Sequence, residues 1–199
     1  MFNGYGYGIE NFAQEAYNEP SRRDPLVDGR RYNPNLSTED VAVYEDNGKA
    51  IVAMRGTSKL KDLHPDVGIA INRFKATNRY KSDKEQLQKI VDKYGKDNIR
   101  LTGHSLAGKS AATLGKEYGI RTDAFSTGST PLQMNQDLVS RIGCIIAPNR
   151  DDCKKQKMIT HHIVAGDPVS QWNLFKPNVK YYEPKSWNPH SLSNFEGIA

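Results

Sequence analysis

The sequence predicts an α/β protein built on a mostly parallel sheet with antiparallel additions at one edge, and three observations carry that expectation. Two apolar runs, Val41 to Tyr44 and Ala50 to Met54, are joined by a segment containing Asn47-Gly48, a strong hairpin turn signal. A strand-like run, Ile99 to Thr102, passes through a tight glycine turn into a helical run, Leu106 to Tyr118. The later apolar runs, Asp123 to Ser126, Ile142 to Ala147, Ile159 to Ala165 and Val179 to Tyr182, are short and alternate with loops rather than with clear helices.

Taken in order, Ile9 to Asn18 reads as a short helix, and Glu19 to Ser37, with three prolines, reads as a wrapping loop. The hairpin follows and delivers the chain to Arg55-Gly56-Thr57. Ser82, with Glu85 three residues on, has the form of a capping box. Leu87, Ile90, Val91 and Tyr94 follow at helical spacing until Gly95 ends the run. In the run from Leu106, the residues Ala107, Ala111, Leu114 and Tyr118 share one face, and Gly119 is the expected C-terminal stop.

The chain has 199 residues and a net charge of +5, which points to one domain over residues 1–199. Its longest apolar run is Ala50 to Met54, whereas a membrane span needs about 20 residues, so no transmembrane segment is expected. The start, Met1 to Gly8, lacks a basic stretch followed by an apolar one, so no signal peptide is expected either. Repeat and disordered classes drop out for want of internal periodicity or low-complexity tracts. Cys144 and Cys153 are able to close one small loop but do not make a disulfide framework. A reducing compartment is therefore expected: the cytoplasm, or a virus particle if the source is viral.

The most informative stretch is Leu101-Thr102-Gly103-His104-Ser105-Leu106-Ala107-Gly108, which sets a serine between a strand and a helix with small residues around it. That is the form of a nucleophile elbow. The hydroxyl of such a serine projects above the sheet, and the helix N-terminus behind it favours developing negative charge. The strict pattern Gly-x-Ser-x-Gly is not met, because Ala107 stands two after the serine. The partners of such a serine follow along the chain as an acid and then a histidine. Asp167, after a predicted strand and next to Pro168, fits the acid, and His190 is the one histidine beyond it. His161 and His162 are adjacent on a predicted strand and point to opposite faces, one into the core and one outward, so they cannot share a metal. His104 is expected to pack in the elbow, and His64 lies in a loop. No metal site and no cofactor is expected.

With these segments in view, the chain resembles the class 3, or fungal-type, lipases of the α/β-hydrolase superfamily. Ile51 to Thr57 is similar to the strand ending in Arg-Gly-Ser/Thr in that family. Gly103 to Gly108 resembles its Gly-His-Ser-Leu-Gly-Gly elbow, Gly128-Ser129-Thr130-Pro131 its Gly-x-Pro loop, Gly166 to Val169 its acid segment, and His190 to Phe195 its base segment. The matches run in the family's order from about Val41 to Phe195. The resemblance implies Ser105 as nucleophile, His190 as general base and acid, Asp167 as its orienter, and the N–H groups of Thr57 and Leu106 as oxyanion hole. It implies a lipase, esterase or phospholipase acting through an acyl-enzyme, with a lipid or small ester as substrate. Departures are Ala107 for a glycine, Leu63 where the family often has Trp, and a separation of only 23 positions between Asp167 and His190. The family's lid corresponds to Ser58 to His64, which holds Leu60 and Leu63 among Lys59 and Lys61, so peripheral contact with an anionic membrane surface is expected rather than strong apolar attachment.

Two rival readings are weaker. A silent binding or structural protein on a hydrolase scaffold is disfavoured by the complete Ser, Asp and His set. Nucleic-acid binding is suggested only by Arg73 to Arg100, with nine basic and four acidic residues, and that stretch offers few aromatics for stacking. The oligomeric state is left open.

Overall fold

The computed structural model describes residues 8–56 and 77–197. Its eight strands lie in sequence order: β1 (Leu26–Val27), β2 (Arg30–Tyr32), β3 (Val41–Asp46), β4 (Lys49–Met54), β5 (Ile99–His104), β6 (Arg121–Phe125), β7 (Ile159–Val164) and β8 (Val179–Tyr182). Strands β1 to β4 pair antiparallel and β4 to β8 parallel. This is the expected sheet, parallel in its body with an antiparallel edge.

Local chemistry explains the edge. Asn47 and Gly48 both have positive φ, 48° and 74°, and Asp46 pairs with Lys49, the geometry of a two-residue type I′ hairpin. The same device joins β1 to β2 through Asp28-Gly29, with φ of 46° and 78°. The expectation of a plain loop over Glu19 to Ser37 is thus corrected, and the Asp-Gly pair was the available signal.

Strands β3 and β4 are buried on both faces, which is why they read as continuous apolar runs rather than as alternation. Val41, Val43, Ala50, Val52 and Met54 face one core cluster, shared with the helices α2 (Asn78–Tyr94) and α3 (Leu106–Tyr118) through Leu87, Ile90 and Leu114. Ala42, Tyr44, Ile51 and Ala53 face the other cluster, built on Phe12 of helix α1 (Ile9–Glu15), Phe125 and Phe195. The helix expected from Ser82 begins earlier. The Thr77 side chain accepts the Tyr80 N–H at 3.1 Å, so Ser82 lies a turn inside α2, while Gly95 ends it as expected.

Ile142 to Ala147 is not strand-like but the end of helix α4 (Pro131–Ile146), which is capped by Thr130 and started by Pro131. The helix is turned opposite to a normal amphipathic one. Gln133, Asp137 and Ser140 face the body, pairing with Lys109, Lys176 and Gln156. Leu132, Val139, Ile142, Ile145 and Ile146 are 48 to 78% exposed. Cys144 is disulfide-bonded to Cys153 of helix α5 (Asp151–Gln156). That bond closes the one small loop the sequence allowed for and ties the end of α4 to α5. No described helix is long and apolar enough to cross a membrane.

Candidate active site

Ser105 sits between β5 and α3 with φ of 60° and ψ of −126°, a conformation that side chains rarely adopt. Its N–H donates to the Phe125 carbonyl at 2.9 Å, which braces the turn against the neighbouring strand. The turn is tight enough that a Cβ on Gly103 would stand 2.7 Å from the Ala107 carbonyl oxygen, so glycine is required there. Gly108 faces the same limit, 2.9 Å from the Gly103 carbonyl oxygen. Ala107, the departure from the family pattern, is accommodated because its methyl points into the core cluster under α3 rather than into the turn.

The three residues expected to act together are brought together. His190 Nε2 lies 3.0 Å from Ser105 Oγ. On the other side of the ring, Nδ1 lies 3.0 and 3.1 Å from the two Asp167 carboxylate oxygens. A carboxylate only accepts, so Nδ1 carries the proton and Nε2 is free to accept from the serine hydroxyl. Asp167 is 1% exposed. Burial alone would raise its pKa, but the hydrogen bond and charge of His190 outweigh that, joined by Ser170 Oγ at 2.7 Å and the Val169 N–H at 2.9 Å, and hold it below the ordinary value.

The loop bearing His190 is set by Asn194, which is fully buried and which sequence reasoning passed over. Its side-chain oxygen accepts from Lys185 N and Ser186 N, and its NH₂ donates to the carbonyls of Asn188 and Ser191, all at 2.7 to 2.9 Å. Its only sequence signal was membership in the segment that opens with His190.

Leu106 is the first residue of α3, and the opening N–H groups of a helix lack intrahelical acceptors, so its amide is available beside Ser105. Thr57, the other expected oxyanion donor, and the expected lid from Ser58 to His64 lie outside the described residues. Strand β4 ends at Met54, and Arg79 donates to the carbonyl of Arg55 and pairs with Asp40 and Asp83. A small cavity of about 40 Å³ adjoins Leu106 and Ala107, with Asp83 and Ser110 in its wall. A larger one, about 350 Å³, lies between α3 and α4 and is lined by Lys109, Gln133, Asp137, His161 and Lys176; it touches none of Ser105, Asp167 and His190.

His64 lies outside the described residues, whereas His161 and His162 have partners of their own. His162 Nε2 meets Asp123 at 2.9 Å and its Nδ1 meets the Tyr182 hydroxyl at 2.8 Å, while Arg100 holds the other Asp123 oxygen at 2.7 Å. His161 faces the other side of the sheet, near Thr127. Both are buried, at 5 and 3% exposure for His161 and His162, so the expectation that one would be exposed is corrected: β7 is covered on each face.

No family model and no curated protein matches the chain. Among solved structures it is similar to a mutant form of the MDLA protein of Penicillium cyclopium, with a TM-score of 0.53 and 15% identity over 94% of this chain and 82% of that one. A triacylglycerol lipase from Penicillium expansum aligns at a TM-score of 0.43 and 13% identity, over 92% of this chain and 82% of that one. At 15% identity the first likeness concerns architecture alone. Together with the mixed sheet and the serine turn between β5 and α3, it assigns the chain the α/β-hydrolase fold.

Proposed function

We propose that the chain is a serine hydrolase of the class 3 lipase kind, cleaving carboxylic esters of lipids through an acyl-enzyme. The observation that supports this most is the hydrogen-bonded line from Ser105 Oγ through His190 to Asp167, starting at a strained turn on the carboxyl edge of the sheet. Ser105 Oγ attacks the ester carbonyl carbon as His190 Nε2 takes its proton. The carbonyl oxygen, now anionic, is met by the Leu106 N–H and, on this reading, by Thr57. Collapse breaks the bond to the leaving alcohol, which takes the proton from His190. Water repeats the sequence, frees the acid and restores Ser105. Asp167 stays ionised throughout and stabilises the imidazolium.

A panel of p-nitrophenyl esters of increasing chain length, run beside anionic and neutral phospholipid vesicles at low and high salt, tests both chemistry and substrate class. Turnover is expected, with salt lowering the rate on anionic vesicles more than on a soluble short-chain ester. Ser105→Ala is expected to lower turnover by at least about 10³-fold. An unchanged rate in that variant refutes the reading.

A further inference from the structure

Beside the proposed triad stands a second histidine that the chemistry above does not use. His104 is the last residue of β5 and only 8% exposed. Its Nε2 lies 2.8 Å from the main-chain carbonyl oxygen of His190, and its Nδ1 lies 2.9 Å from the hydroxyl of Tyr17. The two rings pack with centroids 4.8 Å apart.

The donor pattern follows from the partners. A carbonyl oxygen only accepts, so the Nε2 of His104 must carry the proton. Its Nδ1 then holds a lone pair and accepts from the Tyr17 O–H. The chain of bonds thus has one direction, from Tyr17 through His104 to the backbone of His190. Burial, reinforced by the charge of His190, holds His104 far below its usual value, at about 3, so it stays neutral while its neighbour takes up a proton. Tyr17 reaches this place because α1 ends at Glu15, and it packs so closely on Gly56 that a Cβ there would overlap its hydroxyl. One tie therefore spans three separate segments: the turn after α1, the end of β5 and the base loop.

We propose that His104 is a positioning residue for the base: its Nε2–H fixes the main chain of His190 so that the ring meets Ser105 and Asp167 at once, and Tyr17 locks the tautomer that allows it. This rests on the reading of Ser105, His190 and Asp167 as a catalytic triad. His104 touches no reacting atom. Its effect falls on the rate of the chemical step rather than on substrate binding.

The experiment measures kcat and KM on p-nitrophenyl butyrate, with thermal melting in parallel, for Ser105→Ala, His104→Leu, His104→Gln and Tyr17→Phe. A displacement of about 1 Å at a reacting group costs up to about 100-fold, so His104→Leu is expected to lower kcat roughly 10- to 100-fold with KM within about twofold. In His104→Gln the side-chain N–H can donate to the His190 carbonyl and its oxygen can accept from Tyr17. It is expected to recover most of that loss at a melting point no higher than that of the leucine variant. Tyr17→Phe is expected to lower kcat by a smaller factor, roughly 3- to 10-fold, because the tautomer is released but not removed. Wild-type kcat in folded His104→Leu, or a glutamine variant no faster than the leucine one, overturns the proposal. If the leucine variant does not fold, Tyr17→Phe decides, and an unchanged kcat there overturns it. Ser105→Ala separates the two claims. Persistent turnover in that variant removes the triad itself, whereas a silent Ser105→Ala beside an unaffected His104→Leu removes only the role of His104.

Discussion

Replacing Asp167 with asparagine tests the proposed triad through one atom. The carboxylate makes four contacts: two to His190 Nδ1, one from the Val169 N–H and one from the Ser170 hydroxyl. In Asp167→Asn the amide oxygen can keep the Val169 N–H, and the Ser170 hydroxyl can accept from the new NH₂, so the loop should hold its shape. What changes is the side facing His190. An amide NH₂ there donates to Nδ1 and favours the tautomer with its proton on Nε2, which points a hydrogen at Ser105 Oγ and removes the acceptor. The negative charge that stabilises the imidazolium is lost in the same step. Loss of orientation and charge at such a site costs about 10³- to 10⁴-fold in kcat, or about 4 to 5.5 kcal/mol of barrier. Steady-state kinetics on p-nitrophenyl butyrate at neutral pH, with melting measured alongside, reads this directly. The expected result is a kcat lower by that factor, a smaller loss than in Ser105→Ala, and a melting point shifted by only a few degrees. A folded variant retaining a tenth of the wild-type kcat would show that Asp167 does not orient the base.

Other consequences can be checked separately. His190→Ala should match Ser105→Ala in lost turnover, whereas His161→Ala and His162→Ala should cost stability of about 1 to 3 kcal/mol through buried groups left unpaired, and leave the turnover of folded protein near wild type. Asp83, 3% exposed, is pushed up to about 6, chiefly by burial, with Arg79 opposing. Because its folded value lies above the unfolded one, the stability linked to this group is present below about pH 4 and lost as pH rises through 6. Asp83→Asn should therefore gain about 2 kcal/mol relative to wild type between pH 4.5 and pH 7 in urea titrations, and parallel stability curves would refute this. Reduction of the Cys144–Cys153 bond, which closes a loop of nine positions, should remove about 2.5 kcal/mol and lower the melting point by about 5 to 10 °C, while kcat stays unchanged at a temperature where the reduced protein remains folded.

Some of the molecule was legible from residues alone because its signals act within a few positions. Asn47-Gly48 sets its own hairpin, Gly95 and Gly119 stop their helices, and the run from Gly103 to Gly108 leaves the backbone little choice but a tight turn between strand and helix. The chain order of Ser105, Asp167 and His190 singled out the three side chains that the fold brings within hydrogen-bonding distance. Other features were decided only by contacts between distant segments. Helix α4 has a helical apolar period and a Thr130-Pro131 start, but the direction it faces follows from neither: Leu132, Val139, Ile142, Ile145 and Ile146 point outward while Gln133, Asp137 and Ser140 meet Lys109, Lys176 and Gln156. The start of α2 moved to Thr77, where the buried Tyr80 and the pairing of Arg79 with Asp40 and Asp83 stabilise the first turn. Tyr17 carries no local signal, since its partner His104 comes from a distant segment, and Asn194, although its four partners lie within nine positions, is singled out only once the base loop folds around its buried amide. His161 and His162 look alike in sequence, yet one faces Thr127 and the other meets Asp123 and Tyr182, because alternate side chains of a strand enter different layers. Turn and cap preferences are written in neighbouring residues, whereas the partner that satisfies a buried polar group is fixed only when the layers close around it.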